Sequence, residues 1–237
     1  MKKRVLFFII GMITSGLCFA QLTGTKPIPG DYATVAIAIA DLNASGVGEG
    51  GVTFLIADGY TETFLSPSSG LIAIPLGNPY DPVLFRKSGN GVNPVITAAP
   101  GTGVADYILC ISGTSNITFD GITVMENPSN ISPDLQMEWG FAILKASATQ
   151  GSQNVVIQNC TINLDKSNYG SAGIYMDNVT IAEPATQLTV TAFSGTNSGN
   201  KFYNNTLSNV NRGIYISGYA DENSSYAFYD QNNDIGS

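Results

Sequence analysis

A six-residue phrase occurs three times in this 237-residue chain and limits its possible folds more than any other feature. The phrase has an apolar residue in first place, glycine or asparagine in third place and an apolar residue in sixth place. The copies are Phe119-x-Gly121-x-x-Val124, Ile157-x-Asn159-x-x-Ile162 and Phe202-x-Asn204-x-x-Leu207. They lie 38 and 45 residues apart, and intervals of about 20–50 residues are typical of stacked repeat architectures.

Short apolar segments accompany the phrases and favour strands over helices. The phrases alternate in polarity and are rich in threonine and β-branched residues. Further apolar segments lie at 107–113, 141–147, 172–178 and 212–218. Two or three short strands per coil, with bends at glycine or asparagine, predict an all-β, right-handed parallel β-helix. A β-sandwich has the same strands and turns, but its strands have no reason to share a register.

The third position of the phrase is expected at a corner between strands. Glycine and asparagine adopt left-handed backbone conformations at low cost, and an asparagine side chain can hydrogen-bond along the stack. We therefore expect Gly121, Asn159 and Asn204 to form a structural corner ladder.

The segment at 31–46, DYATVAIAIADLNASG, fits either a strand or a helix. Val35 and Ile37 alternate with smaller residues as in a strand, but those residues are alanines, which favour a helix. Asp31 is suited to begin the helix and Gly46 to end it. We predict a helix that covers the exposed end of the stack, as terminal elements of stacked folds do.

Residues 1–20 have the pattern of a cleaved secretion signal. Three basic residues precede a short apolar run at 5–13, and a small residue, Ala20, precedes Gln21. The run is shorter than the roughly 20 residues of a membrane span. Lipidation at Cys18 is the alternative, and the bulky leucine before that cysteine disfavours it. We expect a secreted, extracellular or cell-surface protein without membrane insertion after cleavage.

Cleavage makes the chain strongly acidic. The signal contains three of the ten Lys and Arg residues and none of the 18 Asp and Glu residues, which leaves a formal charge of −11. Nucleic acids and anionic lipids require basic surfaces, so neither is an expected partner. A polyanionic sugar would need a bridging cation such as calcium.

The residues for metal or nucleophilic chemistry are few. The chain has no histidine, which excludes His-dependent catalytic schemes and the usual zinc sites. Cys110 and Cys160 occupy different places in the repeat, and we predict two separate buried thiols. The acidic segment at 219–234 resembles a calcium loop in composition but lacks the EF-hand spacing. No metal site and no cofactor are therefore predicted.

Several segments carry a resemblance to a known family. The predicted helix followed by GVTFLIADGYTE resembles the N-terminal cap and first coil of the pectate-lyase-like right-handed β-helix superfamily. GDYATVAIAIADLNASGVGEGGVTF, QMEWGFAILKASAT and SGTNSGNKFYNNTLSNV are similar to large secreted bacterial β-helix surface proteins. The resemblance covers residues 21–237, with a lead-in at 21–30 and the β-helix domain at 31–237. Such proteins commonly end in a type IX secretion sorting domain, which is absent here, so we expect a longer, truncated β-helix.

The resemblance also raises the prospect of an enzyme, because the superfamily includes polysaccharide lyases and hydrolases. Both need carboxylates or arginines stacked on adjacent coils. Asp120 stands in the first phrase, but Gln158 and Tyr203 occupy its equivalent positions, so no column of acids forms. No catalytic residue is predicted. The alternative is the N-terminal part of a polysaccharide lyase or hydrolase whose catalytic coils lie beyond residue 237.

Two insertions are the predicted places for binding, since loops on a rigid scaffold commonly carry function. They lie at 125–139 and 178–199, and the second contains LTVTAF, expected to be a small strand. Sugar sites combine aromatic faces with polar groups. The candidates for carbohydrate contact are Trp139, Tyr169, Tyr219 and Tyr226. We predict a structural or adhesive β-helix that binds a polysaccharide or a host or cell-surface glycan through these insertions.

Overall fold

A computed structural model describes residues 21–74, 81–220 and 227–236. The predicted signal at 1–20 and Tyr226 lie outside them. The described residues contain one α-helix, α1 (Val35–Ser45), and two short 3-10 turns, Pro67–Gly70 and Phe193–Gly195. The strands are β1 Leu22–Ile28, β2 Val47–Ile56, β3 Thr61–Thr63, β4 Leu71–Ile72, β5 Val83–Lys87, β6 Val95–Thr97, β7 Tyr107–Ser112, β8 Ile117–Asp120, β9 Thr123–Met125, β10 Trp139–Leu144, β11 Val156–Gln158, β12 Thr161–Asn163, β13 Ala172–Met176, β14 Lys201–Tyr203, β15 Thr206–Ser208, β16 Arg212–Ile216 and β17 Asp234–Gly236.

The strands form three sheets in which every pairing is parallel. Sheet A has the order β1-β2-β5-β8-β11-β14-β17, sheet B the order β3-β6-β9-β12-β15, and sheet C the order β4-β7-β10-β13-β16. From β2 onward the chain visits sheets A, B and C in turn five times, and each such set of three strands is called a round. The predicted all-β class is confirmed. The parallel pairing also differs from the antiparallel sheets of a β-sandwich.

The register of these sheets accounts for the repeated phrase. The first positions, Phe119, Ile157 and Phe202, are Cα partners across β8, β11 and β14. The sixth positions are partners in the same way across β9, β12 and β15. All three first positions are buried. The three copies therefore lie on one another, and the spacing recurs because each round must present apolar side chains at the same places.

An aromatic column continues this core through the first three rounds. The rings of Phe54 and Phe85 stack with centroids 4.6 Å apart, and those of Phe85 and Phe119 with centroids 5.2 Å apart. Offset aromatic pairs contribute about 0.5–1.5 kcal/mol beyond the burial of their area. Phe85 is therefore held by rings on both sides.

The predicted corner residues have the expected backbone conformation. Gly121, Asn159 and Asn204 have φ values of 71°, 55° and 51°. The side chain of Asn159 does not donate to the next asparagine. Its Nδ2 donates to Oδ1 of Asp120 in the preceding round at 2.7 Å. The corner thus links successive rounds through an asparagine–aspartate contact.

Other asparagines, which the repeat did not predict, satisfy backbone groups of the preceding round. Asn200 accepts from the Val155 N–H at 2.8 Å and donates to the Ser152 carbonyl at 3.1 Å. Asn205 accepts from the Cys160 N–H at 3.0 Å in the same manner. Bends cannot form a continuous strand ladder, so buried amides there supply the missing partners.

The helix begins later than expected. The hydroxyl of Thr34, not the carboxylate of Asp31, caps it by accepting from the Ile37 N–H at 3.1 Å. The carboxylate of Glu62 accepts from the first helical N–H group, that of Val35, at 2.8 Å. An anion at this end is favourable because the helix dipole is positive there. The helix ends at Ser45 with Gly46 as its C-cap, as predicted, and it contacts β1, β2 and β4.

One strand was not predicted, and one predicted strand does not form. The lead-in contains strand β1, which pairs with β2 at the edge of sheet A. LTVTAF forms no strand, because its backbone bonds go to separate loop residues: the Leu188 N–H donates to Asn178 and the Thr191 N–H to Ala148. The alternating polarity of this segment is typical of a strand, but the segment pairs with no strand among the described residues.

Cys110 and Cys160, the cysteines of the described residues, are free and buried, which confirms the prediction of separate thiols. Cys160 belongs to the main core, whereas Cys110 belongs to a second apolar cluster with Trp139 and Val179. Burial raises the pKa of the Cys160 thiol to about 12. No helix in the described residues has the length and apolar character needed to cross a membrane.

Replacing Phe85 by alanine should strongly destabilise the protein. The substitution removes a ring stacked on both sides and should lower the free energy of unfolding by about 3–5 kcal/mol. Denaturant unfolding measures the loss. The matched control is Leu84→Ala, at the half-buried neighbouring position, which should cost less than half as much. Equal losses for the two variants would contradict the stacked core.

Replacing Asn159 by alanine should cost about 1–2 kcal/mol of unfolding free energy, because alanine is strained at positive φ. Asn159→Gly removes the same side chain yet tolerates that conformation, so it should be within about 0.5 kcal/mol of the wild type. Thermal unfolding of both variants separates the backbone effect from the lost hydrogen bond. An alanine variant as stable as the glycine variant would contradict the corner assignment.

Candidate ligand-binding cleft

Three loops that lead from sheet B to sheet C lie side by side. They occupy 98–106, 126–138 and 164–171, and the second is most of the predicted insertion at 125–139. The Gly101 N–H in the first loop donates to the Leu135 carbonyl in the second at 2.7 Å. The strands before the loops are in register, so the loops emerge at successive levels of one edge.

Glu126 holds the middle loop in shape. Its carboxylate accepts from the Met137 N–H at 2.7 Å, from Nδ2 of Asn130 at 2.8 Å and from the Asn127 N–H at 2.9 Å. These bonds join the beginning and the end of the loop. Burial raises the pKa of Glu126, and the three donors oppose that shift.

Glu138 links the three loops to one another. Its Oε2 accepts from the Asp106 N–H in the first loop at 2.9 Å, and its Oε1 accepts from Nδ2 of Asn168 in the third at 2.7 Å. Burial raises the pKa of Glu138 as well. Buried and fully hydrogen-bonded carboxylates of this kind fix loop conformation.

A cleft of about 440 Å³ opens between the second and third loops. Side chains from two rounds approach there, since Nε2 of Gln136 donates to Oδ2 of Asp165 at 3.0 Å. Amide, hydroxyl and carboxylate groups dominate the lining. The lining residues are Met125, Glu126, Asn127, Pro128, Asn130, Ile131, Gln136, Asn163, Leu164, Asp165, Ser167 and Asn209.

Each of the three loops has one large apolar side chain that is more than four-fifths exposed. Val104 is 82% exposed, Ile131 is 85% exposed and Tyr169 is 87% exposed. Ile131 lines the cleft, and Tyr169 lies two residues beyond Ser167, another lining residue. These three side chains are almost fully exposed and are therefore accessible to a ligand.

The four residues predicted to contact carbohydrate do not share one environment in the structure. Trp139 is 6% exposed and stacks on Tyr175 with ring centroids 4.0 Å apart, so its face is already occupied. This packing argues against a ligand contact at Trp139. Tyr219 is half-buried and is not among the lining residues, and Tyr226 lies outside the described residues. Tyr169 is the candidate that lies in a cleft-forming loop.

The insertion was predicted from the sequence, but the polar lining of the cleft was not. Gln136, Asn163 and Asn209 were not singled out, because each looks like an ordinary loop or strand-end residue. Asn163 and Asn209 belong to successive rounds, and only the register brings them together. Residues 127–136 contain only two asparagines, Asn127 and Asn130, so local composition gave no signal for this lining.

Lowering the pH from about 7 to about 5 should stabilise the protein. The pKa values of Glu126 and Glu138 are raised in the fold, so the folded state binds protons that the unfolded chain does not yet bind. The free energy of unfolding should therefore rise in this window. Glu138→Gln should flatten the pH dependence, whereas the exposed control Glu183→Gln should not. A wild-type curve that falls towards pH 5 would contradict the assignment.

Comparisons of the chain with protein-family models, with curated proteins and with solved structures find no match. Within the described residues, no group of three or more His, Cys, Asp or Glu side chains is arranged to hold a metal ion. The cleft and the loops that form it are therefore the candidate functional site.

Proposed function

We propose that the protein is an exported right-handed parallel β-helix that binds carbohydrate at the cleft between its second and third loops. The repeated passage through sheets A, B and C in register supports the solenoid, and α1 at its N-terminal edge supports a capping role. The pattern of residues 1–20 supports export. The resemblance to secreted pectate-lyase-like β-helix proteins agrees with both.

The observation that carries the proposal is an amide-rich cleft beside an exposed aromatic ring. The hydroxyl groups of sugars both donate and accept hydrogen bonds, and amide side chains can do the same. Asn127, Asn163 and Asn209 line the cleft, and Tyr169 in the adjoining loop is 87% exposed. An exposed aromatic face packs against the apolar face of a sugar ring.

Charge favours neutral or amino sugars over uronates. Glu126 and Asp165 line the cleft, and no lysine or arginine does so among the described residues. The chain after signal cleavage has a charge of −11. A uronate polymer would meet like charges there without a cationic partner, which is unfavourable.

The rigidity of the loops supports an adhesive role at the cell surface. Glu126 and Glu138 fix the loops before any ligand arrives, which reduces the ordering cost of binding. Successive rounds place comparable loops along one edge. A long glycan is therefore the class of partner that suits this edge.

The two carboxylates in the cleft also favour a second candidate, a glycoside hydrolase, because hydrolysis of a glycosidic bond uses a pair of acids. However, Glu126 already accepts three hydrogen bonds from its own loop. Asp165 accepts from Gln136 and from the Ser167 N–H. Both carboxylates are therefore already engaged in hydrogen bonds that hold the loops, which favours carbohydrate binding over hydrolysis.

The test is retention of the mature chain, residues 21–237, by neutral, amino and uronate polysaccharides in affinity electrophoresis. We expect retention by a neutral or amino polymer and none by a uronate polymer. Tyr169→Ala should weaken it about tenfold, the effect of losing roughly 1.4 kcal/mol of contact. The control Tyr219→Ala removes a half-buried tyrosine outside the cleft lining and should leave retention unchanged.

Two outcomes would overturn the binding proposal. Absence of retention by every neutral and amino polymer, with a folded protein, would remove its basis. Release of oligosaccharides, abolished by Glu126→Gln, would instead establish the hydrolase. The stability of each variant is measured in parallel, so that loss of fold is not mistaken for loss of binding.

A further inference from the structure

A buried ion pair joins two distant parts of the chain. Lys145 directly follows β10, and its side chain is fully buried. The side chain of Asp230, before β17, is 3% exposed, and Nζ of Lys145 lies 3.1 Å from its Oδ1. Removing two charges from water is costly unless all their polar atoms find partners.

The surrounding hydrogen bonds give each atom of the pair a distinct environment. Nζ of Lys145 also donates to the Gly195 carbonyl at 2.8 Å, and the Asn197 N–H donates to Oδ1 of Asp230 at 2.7 Å. Oδ2 of Asp230 is buried and accepts no hydrogen bond from the described residues. One carboxylate oxygen is thus held by two donors, and the other is held by none.

Burial favours the uncharged form of the Lys145 side chain. Burial lowers the pKa of the Lys145 ammonium, while the charges of Asp230 and Asp177 act in the opposite direction. Asp177 itself accepts from the Tyr175 hydroxyl and the Asn178 N–H. Transfer of one proton from Nζ to Oδ2 removes both charges from the buried site. The products are an amine and a carboxylic acid in contact.

We propose that Lys145 and Asp230 form an intramolecular isopeptide bond. Nζ attacks Cγ of Asp230, a bond forms between these two atoms, and the Cγ–Oδ2 bond breaks. Two protons from Nζ leave with Oδ2 as water. An ammonium and a carboxylate thereby become a neutral amide and one water molecule, with no oxidant, cofactor or other reactant.

The hydrogen bonds already present suit the amide. Its N–H retains the Gly195 carbonyl as acceptor, and its oxygen, formerly Oδ1, retains the Asn197 N–H as donor. The unpartnered Oδ2 is the atom that leaves. The product therefore has no buried charge and no unsatisfied oxygen, and burial protects it from hydrolysis.

The bond would tie the third round to the segment that leads into β17. Strands β11 to β16 lie between the two residues in the sequence. A covalent link across so long a segment restricts the unfolded chain and resists pulling forces. The proposed bond is independent of carbohydrate binding, because it lies in the scaffold and not in the cleft.

The test is mass spectrometry of the denatured mature chain. We expect a mass about 18 Da below that of the sequence, the mass of one water. A tryptic digest should contain a branched peptide that joins Lys145 to Asp230, with no cleavage after Lys145. The unmodified mass, together with a free peptide that ends at Lys145, would overturn the proposal and leave an ion pair.

Variants identify the reacting groups. Lys145→Arg keeps the positive charge but cannot form the amide, and Asp230→Ala removes the acceptor carbon, so both should have the full sequence mass. The exposed control Lys166→Arg should keep the deficit of about 18 Da. A deficit that persists in Lys145→Arg would also overturn the assignment. The peptide map of the wild type is decisive even if a variant fails to fold.

Discussion

From the second round onward, each described strand lies in register on the strand one round earlier and forms backbone hydrogen bonds with it. Parallel strands cannot be joined by tight hairpins, so every round must pass through all three sheets before it meets its partner. Apolar residues then recur at fixed places, as at Phe119, Ile157 and Phe202. The core forms only when the rounds stack on one another. All other contacts therefore depend on the register of the strands.

The same register positions the cleft. Loops that leave successive strands of sheet B emerge at one edge, and buried carboxylates connect them. Glu126 and Glu138 do not resemble exposed loop acids, because their oxygens are occupied by donors from the loops themselves. The scaffold thus provides a preformed polar surface, and the exposed side chains at its rim remain free for recognition.

Much of this fold could be predicted from the sequence, because stacked rounds require apolar residues at recurring positions. The phrase around Asn159 gave the register and the corner, and the alanine-rich segment gave α1. Strand β1 was missed because its partner lies beyond the helix. The bridging role of Asn200 was missed because it depends on a bend one round earlier.

The candidate site was less predictable than the fold. The insertion could be predicted from the sequence. The exposure of an aromatic side chain could not, because it depends on tertiary packing. Trp139 stands beside the insertion, yet it is buried against Tyr175 on the next strand of sheet C. Tyr169 has similar local surroundings and is almost fully exposed. Local sequence does not distinguish these two outcomes.

Engineered disulfides across β8 and β11 test the register most directly. Thr118 and Val156 are Cα partners on the half-buried face of sheet A, whereas Gln158 lies two residues further along the same face. Partners in adjacent parallel strands are within the roughly 4.4–6.8 Å required of a disulfide, and the displaced pair is beyond it. The double variant Thr118→Cys/Val156→Cys should form a disulfide on mild oxidation, and Thr118→Cys/Gln158→Cys should not. Efficient bonding of the second pair, with none in the first, would contradict the register and the stacked fold built on it.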